Sequence, residues 1–205
     1  MTRATTHSIV VISAGLGQPS ATRLLGERLA TATEAALAKN SAGATVRIVE
    51  LREYARDLTN QLLTQVPSAR LTELTEAVLD ADAVIAVTPI FSASYSGLFK
   101  MFFDVLQPEA LAGRLVLIAA TAGTARHSLA LEHALRPLFA YLRTPVVPTG
   151  VFAATEDWAS PNGALGARIE RAAGELAALL VGPGAHRRPS QEQEVTPFAD
   201  LLAGR

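Results

Sequence analysis

The sequence predicts an α/β fold, a doubly wound three-layer domain around a five-stranded parallel sheet in the order 2-1-3-4-5. Three observations lead there. Short apolar runs alternate along the chain with longer segments of helical periodicity. Residues 8–13 (SIVVIS), 83–87 (AVIAV) and 115–120 (LVLIAA) lack the alternation of a half-exposed strand, so they read as strands buried on both faces. A count of five strands favours this order over the six-stranded dinucleotide fold.

The elements follow in sequence. Residues 8–13 form the first, central strand. Residues 20–39 form a helix with Leu25, Leu29, Ala32 and Ala36 on one face. Residues 45–50 (TVRIVE) alternate and suit an edge strand. A helix spans 68–80, with Leu71, Leu74, Val78 and Leu79 inward and Ser68 as N-cap. The strand at 83–87 meets Pro89 and a hydroxyl-rich loop, then a helix over 97–106 that is apolar almost all round. One of its faces can cover the sheet, and the other calls for a further cover, such as a second subunit. The strand at 115–120 precedes a helix over 128–142. A last strand over 146–152 is interrupted by Pro148 and belongs at an edge. A last helix spans 162–180. Residues 1–182 make up the domain; 183–205 form a polar linker and a C-terminal tail whose apolar part, 195–202 (VTPFADLL), is either a frayed end or a short docked helix.

The chain has 205 residues, enough for a full core, and its hydrophobic content of 49% argues against disorder. A net charge of −1 leaves no basic footprint for nucleic acid. No apolar run approaches the ~20 residues of a membrane span, and no signal peptide is evident. With no cysteine, thiolate chemistry is excluded and the cytoplasm is the default compartment. The four histidines lack metal-ligand spacing, and no G-x-S-x-G elbow points to a hydrolase.

The loops after the strands carry the chemistry, since an open α/β sheet binds ligands beyond the carboxyl ends of its strands. Residues 13–23 (SAGLGQPSATR) join the first strand to the first helix. Their glycines allow a tight turn, the helix start supplies unpaired N–H groups, and Ser13, Ser20 and Thr22 can donate to phosphate oxygens. The loop holds no acid, lacks the lysine of a G-x-x-x-x-G-K-[ST] loop, and has Ser20 where G-x-G-x-x-G needs its third glycine. A monophosphate suits it; a plain tight turn capped by Ser20 is the alternative. Pro89, Ile90, Phe91 and Ser92 after the third strand, and residues 121–127 (TAGTARH) after the fourth, add apolar faces, small residues and backbone N–H groups on the same rim. Such a rim suits a planar heteroaromatic ring with a polar edge, and a flavin fits.

Two motifs carry a resemblance: residues 88–100 (TPIFSASYSGLFK), and residues 120–127 (ATAGTARH) with 134–137 (ALRP) downstream. In these the chain resembles the flavodoxin-like NADPH-dependent FMN reductases. It is most similar to the branch that supplies reduced FMN to two-component, luciferase-like (alkanesulfonate-type) monooxygenases. The resemblance covers about residues 9–180. It implies FMN and NADPH as cofactors, with the FMN phosphate held by Ser13, Ser20, Ala21 and Thr22 and with Gln18 among the cofactor-binding residues. It implies Pro89, Ile90, Phe91 and Ser92 beside the isoalloxazine, and Thr121, Ala122, Gly123, Thr124 and His127 near its polar edge. It also implies a homodimer or homotetramer and a flavin-dependent monooxygenase as partner.

There are departures. Many relatives carry an arginine in the first loop; here the phosphate charge falls to the helix dipole, to hydroxyls or to Arg23. Phe91 stands where many have tyrosine. His133, in residues 131–135 (LEHAL), occupies the place of a Tyr-bearing π-bulge in the alkanesulfonate-type enzymes. Arg126 and His127 are candidate contacts for the NADPH phosphate or the flavin edge. Hydride transfer from nicotinamide to flavin needs no acid–base dyad from the protein, and none is evident. The competing readings are a quinone, azo or chromate reductase that retains FMN, a non-enzymatic flavodoxin-type electron carrier, and a flavin-binding scaffold without turnover.

Overall fold

A computed structural model describes residues 5–107, 109–159 and 163–182. The strands are β1 (Thr6–Ser13), β2 (Gly43–Glu50), β3 (Ala83–Phe91), β4 (Ser94–Tyr95), β5 (Leu115–Ala122) and β6 (Val151–Ala154). The helices are α1 (Ala21–Lys39), α2 (Ala55–Thr64), α3 (Ala69–Asp80), α4 (Gly97–Asp104), α5 (Arg136–Tyr141) and α6 (Ala164–Val181).

The sheet runs β2-β1-β3-β5-β6 with every one of these pairs parallel, so the five parallel strands have the expected order. β4 is a sixth, two-residue strand pairing antiparallel with the end of β3. α1 and α6 cover one face over Ile9, Val11, Ile85, Leu117 and Val151. The other face packs Val10, Ile12, Val84, Val116 and Ile118 against α2 to α5. β3 is buried from Ala83 to Ile90, which is why its sequence shows no polar alternation. Among the described residues no helix is long and apolar enough to cross a membrane.

Helix starts are set by hydroxyl caps. Ser20, Ser68 and Ser96 each accept from the backbone N–H three residues on, at 3.2 Å, satisfying a donor that the helix itself leaves unpaired. Ser68 belongs to none of the three loops that follow β1, β3 and β5. Ser68→Ala is therefore expected to lower the stability measured by urea denaturation by about 1 kcal/mol and to leave ligand binding unchanged.

Three expectations need correction. β3 does not end before Pro89 but continues to Phe91. β1 stops at Ser13, opposite Val87, so beyond that point β3 has a free edge, the setting in which a strand tolerates proline. The last strand is not 146–152. Val146 makes only an isolated bridge to Val116, and the ladder starts after Pro148 at Val151. Residues 51–64, left without an element, form a 3₁₀ turn (Leu51–Tyr54) and α2. The inner face of α4 is covered within its own chain, while Leu98 and Met101 stay half-buried. Phe99, Phe102 and Phe103 are buried, Phe139 of α5 lies 6.2 and 5.0 Å from the Phe99 and Phe103 rings, and Gln61 of α2 donates to the Val105 carbonyl. The polar linker and tail expected at 183–205 lie outside the described residues.

Candidate functional site

The carboxyl ends of β1, β3 and β5 bring the three loops to one rim, in adjacent positions of the sheet. The first loop leaves β1 at Ser13, whose side chain is fully buried and whose hydroxyl has no partner among the described residues. A buried hydroxyl without a partner costs about 1–3 kcal/mol, so a ligand acceptor there would remove a standing penalty. Gly15 explains the loop's shape. A Cβ at that position would fall 2.0 Å from the Ser20 Oγ and 3.1 Å from the Thr22 Cβ. The chain can approach the start of α1 closely only because no side chain intervenes. Ser20 caps α1 through its oxygen and retains its O–H hydrogen for a ligand. Ala21 is exposed at the first turn, and that turn contains no acid, a setting favourable to an external anion.

Thr22 has a partner within the chain. It is buried, and its hydroxyl lies 2.8 Å from that of Thr121 at the end of β5. One hydrogen joins the two oxygens and the other remains available. The pair therefore latches the first loop to the third and together offers one donor.

Arg23 is likewise engaged elsewhere. Its Nε donates to Glu27 at 2.8 Å and its Nη1 to Glu50 at 2.5 Å, and these two carboxylates, Glu27 first, raise its pKa above the ordinary arginine value. The loop's cation is instead Arg52, which sequence reading missed. Arg52 pairs with the buried Glu50 at 2.8 Å and donates to the Gly17 carbonyl at 3.1 Å. The Gln18 side-chain amide, with its oxygen toward Arg52, accepts from Nη1 at 2.9 Å. Gln18 thus serves loop geometry through Arg52. Arg52→Met is expected to raise the KM for a phosphate-bearing ligand of this loop several-fold with kcat unchanged. Steady-state kinetics check this, and a fall in kcat alone would count against it.

The second loop is a tight hairpin. Ile90 pairs with Tyr95 and Phe91 with Ser94, and both turn residues, Ser92 (φ 49°) and Ala93 (φ 67°), are left-handed, as a two-residue hairpin turn requires. Neither is glycine, so the turn stores strain, a feature that clusters at functional sites. Thr88 anchors the hairpin: its hydroxyl accepts from the Ser96 N–H at 3.0 Å and donates to the Pro89 carbonyl at 2.9 Å. Ser96 in turn caps α4, which accounts for the hydroxyl spacing of the motif. Ile90 is buried, while Phe91 stands 48% exposed beside Ser92, leaving a large aromatic face open at the rim.

In the third loop Thr121 is buried and Ala122 half-buried, whereas Gly123, Thr124, Arg126 and His127 are exposed. Thr124 caps a 3₁₀ turn (Ala125–His127) by accepting from the Arg126 N–H. The single helix expected over 128–142 is a π-helical turn (Leu131–Leu135) leading into α5. His133 lies in that turn and is exposed, and the Arg136 N–H reaches back five residues to the Leu131 carbonyl. Pro137 has no N–H to return to the His133 carbonyl, which frees the wider turn. Arg136 then ties the turn down, donating to Glu132 and to the Val147 and Pro148 carbonyls. The Arg136 hydrogen bond holds the Glu132 carboxyl below its ordinary pKa, and Glu132 raises that of Arg136.

The family model described as NADPH-dependent FMN reductase matches residues 7–159. An NADH-dependent FMN reductase of Pseudomonas putida is 38% identical over 85% of this chain and 92% of its own length. An FMN reductase (NADPH) of Pseudomonas aeruginosa is 36% identical over the same shares. An oxidoreductase of Corynebacterium diphtheriae, known by X-ray structure, superposes with a TM-score of 0.83 at 50% identity, covering 87% of this chain and 98% of that one. The flavodoxin-like sheet, the rim and these likenesses agree, and the chain belongs to the NADPH-dependent FMN reductase family.

Proposed function

We propose that this NAD(P)H:FMN oxidoreductase takes FMN as a substrate, releases it reduced, and supplies it in the cytoplasm to a flavin-dependent monooxygenase. The observation that supports FMN at the rim is the partnerless Ser13 hydroxyl, buried beside a loop that has room for no side chain at Gly15. The residues fit the group. Ser13, Ser20, the exposed first turn at Ala21 and the Thr22–Thr121 pair would hold the phosphate. Pro89, Phe91 and Ser92 would border the ring, and Ala122, Gly123, Thr124 and His127 its polar edge.

When bound, the flavin supplies the hydride-accepting centre, which no side chain offers. The chain's own part is to bind, orient and shield. The Thr22–Thr121 latch fixes the separation of the phosphate loop from the third loop. The Thr88–Ser96 bonds hold Phe91 in place, and the first turn of α1 meets the phosphate charge with N–H groups. Phosphate compensation relies on hydroxyls and a helix start rather than a direct arginine, an arrangement suited to a flavin that leaves each cycle. The exposed apolar side chains Leu129 and Tyr141, at 64% and 84%, flank the π-helical turn and offer a surface for a homodimer or homotetramer.

Varying FMN and NADPH together tests this reading. A substrate flavin gives intersecting double-reciprocal lines. Parallel lines with FMN retained through gel filtration would overturn it in favour of a bound-flavin reductase.

A further inference from the structure

A cleft of about 720 Å³ borders the phosphate loop. Residues 17–21 form one wall, so the loop that faces the flavin site also borders this cleft. Trp158 lies opposite, with Leu24, Arg28 and the Arg23–Glu50–Arg52 cluster between. The cleft shares Ser20 and Ala21 with the FMN site described above and extends from them to Arg28 and Trp158.

The charges inside it are not equivalent. Arg23 is engaged by Glu27 and Glu50, and Arg52 by Glu50. Arg28 is exposed and, among the described residues, has no carboxylate within ion-pair distance; its guanidinium instead lies 5.2 Å from the centre of the Trp158 ring. That contact aims a cation at the cleft without neutralising it. Trp158 is itself held in place. It sits on a 3₁₀ turn (Thr155–Ala159) where the Asp157 carboxylate accepts from the Ala154 N–H and from Arg168, both at 2.8 Å. An exposed guanidinium held beside a fixed aromatic ring, with the apolar Leu24 in the same lining, suits a nucleotide: a phosphate against the arginine, and the base along the apolar lining.

Resting on the reading of the chain as an NAD(P)H-dependent FMN reductase, we propose that this cleft takes the adenosine end of the dihydronicotinamide donor. Arg28 is the specificity-determining residue there, binding the ribose 2′-phosphate, and the chain prefers NADPH to NADH. The donor then crosses the rim of the phosphate loop, with its nicotinamide over the flavin side. Arg126, the other candidate cation, stands exposed on a short turn outside this cleft.

Trp158 is the only tryptophan in the chain, so its fluorescence reports on this cleft and needs no flavin. Titrating adenosine 2′,5′-bisphosphate into flavin-stripped full-length protein is expected to quench it, with matching binding heat in calorimetry. ADP, which lacks the 2′-phosphate, should bind about tenfold more weakly, and Arg28→Ala should lose that difference while Arg28→Lys keeps part of it. In turnover, Arg28→Ala should raise the KM for NADPH about tenfold and leave unchanged the KM for NADH and the rate with reduced nicotinamide mononucleotide. Equal binding of the two adenosine phosphates, absence of both quenching and heat, or loss of NADPH preference in Arg126→Ala rather than Arg28→Ala would overturn the assignment. Failure of the reductase reading would look different: no FMN-dependent oxidation of any donor by the wild-type protein, whatever the cleft binds.

Discussion

Gly15→Ala is expected to weaken FMN binding by about two orders of magnitude while leaving the fold intact. The added Cβ would sit 2.0 Å from the Ser20 Oγ, so that hydroxyl must turn away. Turning it removes the oxygen that accepts from the Arg23 N–H at 3.2 Å and redirects the hydrogen available to phosphate. Rotation of Ser20 does not relieve the remaining contacts, 3.1 Å to the Thr22 Cβ and 3.2 Å to the Ser20 Cβ, so the backbone of the loop must also shift. Loss of the cap costs about 1 kcal/mol of stability. Loss of two charge-assisted hydrogen bonds to phosphate, at about 1.5 kcal/mol each, gives the hundredfold change in affinity. Quenching of flavin fluorescence measures the binding, and circular dichroism with urea denaturation shows the fold. A dissociation constant within twofold of wild type would mean that the loop does not hold the phosphate.

Thr121→Val is expected to destabilise the protein by about 1–3 kcal/mol, because it leaves the buried Thr22 hydroxyl without its 2.8 Å partner. Thr22→Val should cost a similar amount for the mirror-image reason. The double variant Thr22→Val/Thr121→Val should cost clearly less than the sum, since two apolar groups can replace a hydrogen-bonded pair with little penalty. Urea denaturation of the four proteins reads this cycle directly. FMN affinity should not recover with stability in the double variant, because the pair's remaining donor is gone. Simple additivity of the two single changes would show that the hydroxyls are not coupled, and the latch between the first and third loops would then have no energetic content.

The contrast between Thr22 and Ser13 shows how far the site was legible in the chain. Both were expected as phosphate donors on the strength of hydroxyls in a loop before a helix. The structure separates them through partners far away in sequence: Thr22 meets Thr121, 99 residues on, and the Ser13 hydroxyl meets no partner among the described residues. No local pattern encodes that difference. Arg52 escaped notice for the same reason, since nothing in Glu50-Leu51-Arg52 says that its side chain turns back 35 residues to the Gly17 carbonyl.

The sheet was easier to read because buried parallel strands are written as unbroken apolar runs. α1 and α3 were found through their Leu spacing and serine caps. α2 was missed because it buries a single residue, Leu58, within an otherwise polar segment, so its apolar stripe is too thin to register. The hairpin at Ser92-Ala93 lacks the Asn-Gly signature of such turns, and Phe91 therefore read as loop rather than as the end of a strand. The π-helical turn at His133 was suggested by the resemblance alone. Its physical basis, a proline donating nothing to the His133 carbonyl, becomes visible only once Arg136 is seen to bond Leu131.

The central claim is that FMN is a substrate reduced at the rim of the three loops and then released. The direct measurement is anaerobic NADPH oxidation by flavin-stripped protein as FMN is titrated, with the protein-free filtrate assayed for reduced FMN. The account predicts saturable turnover and reduced FMN in the filtrate far exceeding the protein concentration. Oxidation limited to one equivalent per protein, with the flavin remaining on the protein side of the filter, would contradict it.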